Sequence, residues 1–146
     1  MWILFHDDTA NPHSEDAVLR ESSRVNGAVT FNAQTSIDPW QITAWLGSNI
    51  LKHPMIWLAV GASSMQDAID HYQQNRGLYH EYSPINHLTA DDPPLLMTYS
   101  EDMALPARDA RHGIHHGIQG IRVKVRADEL GVECHLLIPG LPETGQ

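Results

Sequence analysis

The sequence predicts an α/β protein: a short parallel sheet of about three strands with flanking helices, stacked in three layers. Three observations lead there. Apolar, strand-like runs lie near residues 24–31, 95–99 and 132–138. Segments of helical periodicity separate consecutive runs, so strand and helix alternate along the chain. Crossovers of that kind are right-handed and leave the strands parallel.

The first strand, 24–31, has Ala28-Val29-Thr30-Phe31 at its centre. Asp38-Pro39 then opens a helix, because aspartate suits the N-cap and proline the first helical position. Ile42, Trp45, Leu46 and Ile50 recur through it at helical spacing. Ser64-Met65-Gln66-Asp67 resembles a capping box, followed by an apolar stripe of Met65, Ala68, Ile69 and Tyr72 and a stop at Gly77. Residues 38–80 thus form a helical, cap-like insertion in a single domain spanning 1–146. Residues 83–94 read as a loop with one helical turn. Leu95-Leu96-Met97-Thr98-Tyr99 has the continuous apolar pattern of a strand buried on both faces.

A long helix is expected over about 107–130, with Ile114, Ile118, Ile121 and Val125 on one face. Gly113, Gly117 and Gly120 form a small-residue face that admits a close neighbour, and Gly131 ends the helix. The last strand, 132–138, places Val132, Cys134, Leu136 and Ile138 on one side.

Length and composition fit one modest core: 146 residues, 42% hydrophobic and 18% charged. A net charge of −9 argues against nucleic acid as a partner. The basic residues Arg108, Arg111, Arg122, Lys124 and Arg126 are expected together on one solvated helix face. No apolar run has the length of a membrane span, and Met1-Trp2-Ile3-Leu4-Phe5 lacks the features of a signal peptide. A cytoplasmic location follows as the expectation, in keeping with the single Cys134, which is expected to be a buried, inert thiol. No cofactor is expected. Ten histidines make the charge sensitive to pH between roughly 6 and 7.

Asp109, His112, His115 and His116 form the sharpest local constellation. His112 and His116 share a helix face at a spacing of four, as two metal ligands would, and Asp109 lies one turn earlier. The competing reading is an ordinary polar helix face. Asp91-Asp92 before Pro93 reads as turn chemistry, and Trp40, Trp45 and Trp57 as core, interface or cap residues.

The stretch Ser83-Pro84-Ile85, Asp92-Pro93-Pro94 and Leu95 to Asp102 resembles the late part of esterase/lipase α/β-hydrolases. Glu129-Leu130-Gly131-Val132 and Ile138-Pro139-Gly140 match the helix corner and strand that follow in that family, and Phe5 to Ser36 resembles the region just after its nucleophile. The resemblance implies a bacterial hydrolase portion truncated at both ends, with residues 2–6 left from the helix behind the nucleophile and Asp102 at the position of the triad acid. The sequence carries no Gly-x-Ser-x-Gly and no histidine after Pro139, so the serine and histidine partners of that acid are missing. Leu141-Pro142-Glu143-Thr144-Gly145 also matches a sortase recognition pentapeptide, by chance or as an engineered tag. The expectation is a non-catalytic relative of serine esterases, acting as an oligomeric scaffold or binding protein. A metal- or small-molecule-binding module and a piece of a full-length carboxylesterase are the alternatives. A first strand without its neighbour leaves an open sheet edge, and a homodimer through that edge or the cap tryptophans is expected.

Overall fold

The structure, a computed structural model, describes residues 1–100 and 102–142. Three short strands, β1 (Ala28–Phe31), β2 (Leu95–Thr98) and β3 (Cys134–Leu137), form one parallel sheet in the order β1-β2-β3. Ala28, Leu95 and Cys134 are in register, as are Phe31, Thr98 and Leu137. The α/β class, the parallel pairing and the flanking helices agree with the sequence. The strand expected over 24–31 pairs only from Ala28 onward, and Arg24 instead holds the Asp91 carboxylate at 3.0 Å.

One face of the sheet forms the core. Leu95, Met97, Cys134 and Leu136 pack there against Leu4 and Phe5 of α1 (Trp2–Phe5) and Val123 and Ala127 of α7 (Ile118–Leu130). The other face carries Val29, Phe31, Leu96, Thr98, His135 and Leu137, and none of the six is buried. Phe31 is 73% exposed and Val29 58%. The expectation that β2 is buried on both faces is therefore corrected: α1 and α7 lie on the same face, and the helical cover of the sheet is one-sided among the described residues.

Between β1 and β2 run α2 (Pro39–Leu46), α3 (Met55–Leu58), α4 (Met65–Asp70) and α5 (Tyr72–Glu81). The Asp38 carboxylate accepts the Trp40 and Gln41 amides at 2.9 and 3.1 Å, and Gly47, at φ +83°, ends α2. Ile42, Leu46, Ile50 and Ile56 make a second core with Ala107 and Ile114, so the insertion docks on the segment that follows β2. Ile37, Val60, Ala62, Ala68 and Tyr79 make a third. Ser64 accepts the Asp67 amide at 3.1 Å, as the capping box requires. The helix stops at His71 and restarts, and α5 passes through Gly77 to Glu81.

The helix expected over 107–130 is two helices, α6 (Ala110–Ile114) and α7. At the break, the His116 imidazole Nδ1 accepts the Ile118 amide at 3.0 Å. A side chain that binds a nearby backbone amide competes with helix continuation. The basic residues consequently fall on separate pieces, and Lys124 is buried beside Asp128 rather than solvated. The small-residue face does admit neighbours: Gly113 meets Ile50, Gly117 meets Met103 and Ile138, and Gly120 meets Tyr99 and Leu136.

Candidate functional site

Ligand sites of open parallel sheets lie at the C-terminal ends of the strands, and here that end is tied together by polar side chains. Asn32, just past β1 at φ +48°, accepts the Ser100 amide on its Oδ1 at 3.1 Å. Its carbonyl accepts the His115 Nδ1 proton at 2.9 Å. Tyr99 is buried, and its hydroxyl donates to the Ala33 carbonyl at 2.7 Å. Burial holds that phenol well above its ordinary pKa. The ends of β1 and β2 and the end of α6 are thus locked to one another.

Asp102 stands in the turn beyond β2, in an open cleft of about 240 Å³ that Ser100, Arg108, His112 and His115 also line. Its side chain is 30% exposed and paired with the Arg108 guanidinium. One carboxylate oxygen accepts the Ala104 amide at 3.3 Å and lies 3.5 Å from His112 Nε2. The Ala104 amide lowers the Asp102 pKa most, with Arg108, His112 and His116 adding to it, so the group is a carboxylate at neutral pH. This is chemistry suited to holding an imidazolium or orienting an imidazole. The described residues bring His112 to it, and no serine, cysteine or threonine oxygen or sulfur makes a hydrogen bond with His112.

His112 and His116 do meet, with ring centroids 4.8 Å apart. Asp109 does not join them: its carboxylate accepts the His112 amide at 2.8 Å and caps α6. Each imidazole is engaged on both nitrogens. His112 Nδ1 accepts the Arg108 amide at 3.1 Å and Nε2 donates to the Asp102 carbonyl at 3.2 Å. His116 Nδ1 accepts the Ile118 amide, and Nε2 donates to the Ala104 carbonyl at 3.3 Å. An ion at this pair would have to displace backbone partners from both rings. In the present geometry the two rings clamp the 102–104 turn against α6. Burial, and then His112, lower the pKa of His116.

The remaining candidates are plainly placed. The Cys134 thiol is buried and its pKa is pushed up to about 11, so it is a poor nucleophile. Asp92 accepts the Thr89 amide at 2.7 Å and Asp91 accepts the Thr89 hydroxyl at 2.8 Å, which is turn chemistry. Trp40 is 53% exposed, Trp45 lies 5.6 Å beneath the Arg122 guanidinium, and Trp57 packs on the third core. The pentapeptide at 141–145 extends outside the described residues from Glu143 onward.

A grouping that the sequence reading missed is His6, Glu81 and His87, whose ligand-type atoms lie within 4.8 Å of one another. Positions so far apart show no spacing signal; the surplus of histidines was the one hint.

No family model matches the chain, and no curated protein matches it. Among solved structures, the acetyl ester-xyloside bifunctional hydrolase from Caldicellulosiruptor lactoaceticus is similar, with a TM-score of 0.55 at 18% identity. At that identity the likeness is one of fold. The similarity covers 94% of this chain and 40% of that one, so the chain spans less than half the length of the structure it matches. No helix among the described residues is long and apolar enough to cross a membrane.

Proposed function

We propose that these residues form a hydrolase-derived assembly unit, without ester hydrolysis of its own, that pairs with a second copy through the uncovered sheet face and the free edge of β1. One observation carries this reading: the sheet face bearing Val29, Phe31, Leu96, Thr98, His135 and Leu137 is unburied, although parallel sheets are ordinarily covered on both faces. Among the described residues β1 is also an edge strand, with backbone groups open to pairing on its outer side. Its two exposed apolar side chains flank that edge, where charged residues would discourage association.

Light scattering on the purified chain tests the proposal. A mass of two chains at micromolar concentration is expected, and Phe31→Glu should yield a single-chain mass with an unchanged far-UV circular dichroism spectrum and a lower Tm, as loss of association requires. A wild-type mass of one chain overturns it. Turnover of p-nitrophenyl acetate is expected to stay at background. Hydrolysis that disappears on Asp102→Asn would contradict the non-catalytic reading.

Asp102 favours a second reading, in which the chain is the acid-bearing portion of an esterase. Its carboxylate is ionised, partly exposed and set at the C-terminal end of the central strand. If a longer product of the same reading frame hydrolyses p-nitrophenyl acetate, and loses that activity on Asp102→Asn without loss of stability, this second reading is selected.

A further inference from the structure

We propose that His6, Glu81 and His87 form a binding site for a divalent transition-metal ion, with Zn²⁺ the best match, that ties α1 to the corner between α5 and the 3-10 turn Pro84–His87. The three residues come from three segments. His6 follows α1, Glu81 is the last residue of α5, and His87 ends the 3-10 turn. They converge with two opposed imidazole–carboxylate approaches. His6 Nε2 lies 3.7 Å from one Glu81 oxygen, and His87 Nε2 lies 3.7 Å from the other. Ligand atoms around a tetrahedral zinc ion, each about 2.1 Å from the metal, are roughly 3.4 Å apart. Each imidazole–carboxylate approach taken singly is within a few tenths of an ångström of that separation, and all three ligand-type atoms lie within 4.8 Å of one another.

The surroundings orient these groups as supporting residues do at metal centres. His6 Nδ1–H is set to donate to the Asp7 carbonyl at 3.3 Å, which turns the Nε2 lone pair toward Glu81. The Trp2 ring lies against His6 with centroids 4.1 Å apart, and its indole N–H donates to Glu81 Oε1 at 3.2 Å. His87 is wedged between His6 and His80, at centroid distances of 5.4 and 5.6 Å. At His112 and His116 every ring nitrogen has a backbone partner, whereas here the His6 Nε2 that faces Glu81 has none among the described residues, and one backbone bond, at His87 Nε2, has to yield.

Two imidazoles and one carboxylate suit zinc, nickel or copper better than calcium or magnesium, which take all-oxygen shells. The side chains of His6, Glu81 and His87 are 29%, 41% and 15% exposed, so the ion has a path in and water can complete its shell. Without metal, His87 Nε2–H donates to the Glu81 carbonyl at 2.8 Å. Ligation through Nε2 moves that proton to Nδ1 and leaves a neutral imidazole as the ligand; a proton and the ion compete for the same lone pair, so apparent affinity falls as pH drops. The ion would act structurally. At four residues, α1 is too short to persist alone, and its Leu4 and Phe5 are core residues.

Zn²⁺ titration against a chromogenic chelator, on metal-stripped full chain, is the test. Expected are one ion per chain with micromolar Kd, weakening by about tenfold or more in Glu81→Gln and in His87→Gln, and no change in His112→Gln. Glu81→Gln keeps an oxygen for the Trp2 N–H and so protects the local packing. Long-range ¹H–¹⁵N spectra identify the ligands independently of any variant, because only the bound imidazoles shift. Saturation that moves His112 and His116 but leaves His6 and His87 unchanged overturns the proposal. So does binding weaker than roughly 1 mM, or equal affinity in the wild type and both Gln variants.

Discussion

Asp38 shows how one side chain carries a signal that is local and a contact that is not. Its carboxylate caps α2, which the Asp-Pro pair announces, and its second oxygen accepts the Tyr72 hydroxyl at 2.7 Å across 34 residues of chain. Burial and that bond push the Tyr72 pKa up to about 12. Asp38→Ala should remove both, at about 1–2 kcal/mol, read from the urea midpoint. His116 gives a pH prediction. Its pKa is lowered in the fold, so the unfolded chain binds the proton more readily. Stability is complete above the unfolded value near 6.5 and declines as pH falls from there toward the lowered folded value. His116→Gln, which can keep both backbone bonds, should flatten the stability profile over that window. The contribution of Asp102, also lowered, is lost only at more acidic pH, below the ordinary aspartate value.

At the scale of the element, two glycines on helices should respond with opposite sign. A methyl at Gly120 would run into the Tyr99 ring and approach the Leu136 side chain to 2.8 Å, where α7 lies against the sheet. Gly120→Ala is expected to cost about 1–3 kcal/mol despite its better helix propensity. Gly77 lies inside α5 with nothing near its virtual methyl, and Gly77→Ala should stabilise by about 0.5–1 kcal/mol. Thermal or urea melts of the two variants check both signs. The close face of Gly113, Gly117 and Gly120 was legible as a helical repeat. The break between α6 and α7 was not, because an imidazole within the apolar pattern takes over a backbone amide there.

At the scale of the whole molecule, the uneven cover of the sheet governs behaviour. The pairing of β1 with β2 uses the amides of Ala28 and Asn32, and strand alternation turns those of Val29 and Phe31 to the open edge. Dimerisation through β1 should therefore slow hydrogen exchange at Val29 and Phe31 as concentration rises from nanomolar to micromolar, with β3 amides unaffected. Exchange at the two β1 amides that is independent of concentration would place any dimer contact elsewhere.

Sequence alone determined the alternation of strands and helices, the parallel sheet, the caps at Asp38 and Ser64, and the position of Asp102 just beyond the central strand. These follow from periodicity and from residues that satisfy neighbouring backbone groups, which act over a few positions. Tertiary structure alone decided that α1 and α7 share one face of the sheet and leave the other open. It also decided that Asp109, His112 and His116 spend their polar atoms on backbone, and that His6, Glu81 and His87 converge. Those outcomes depend on which segments pack together across the chain, and an apolar or polar pattern marks a face without naming what will lie against it.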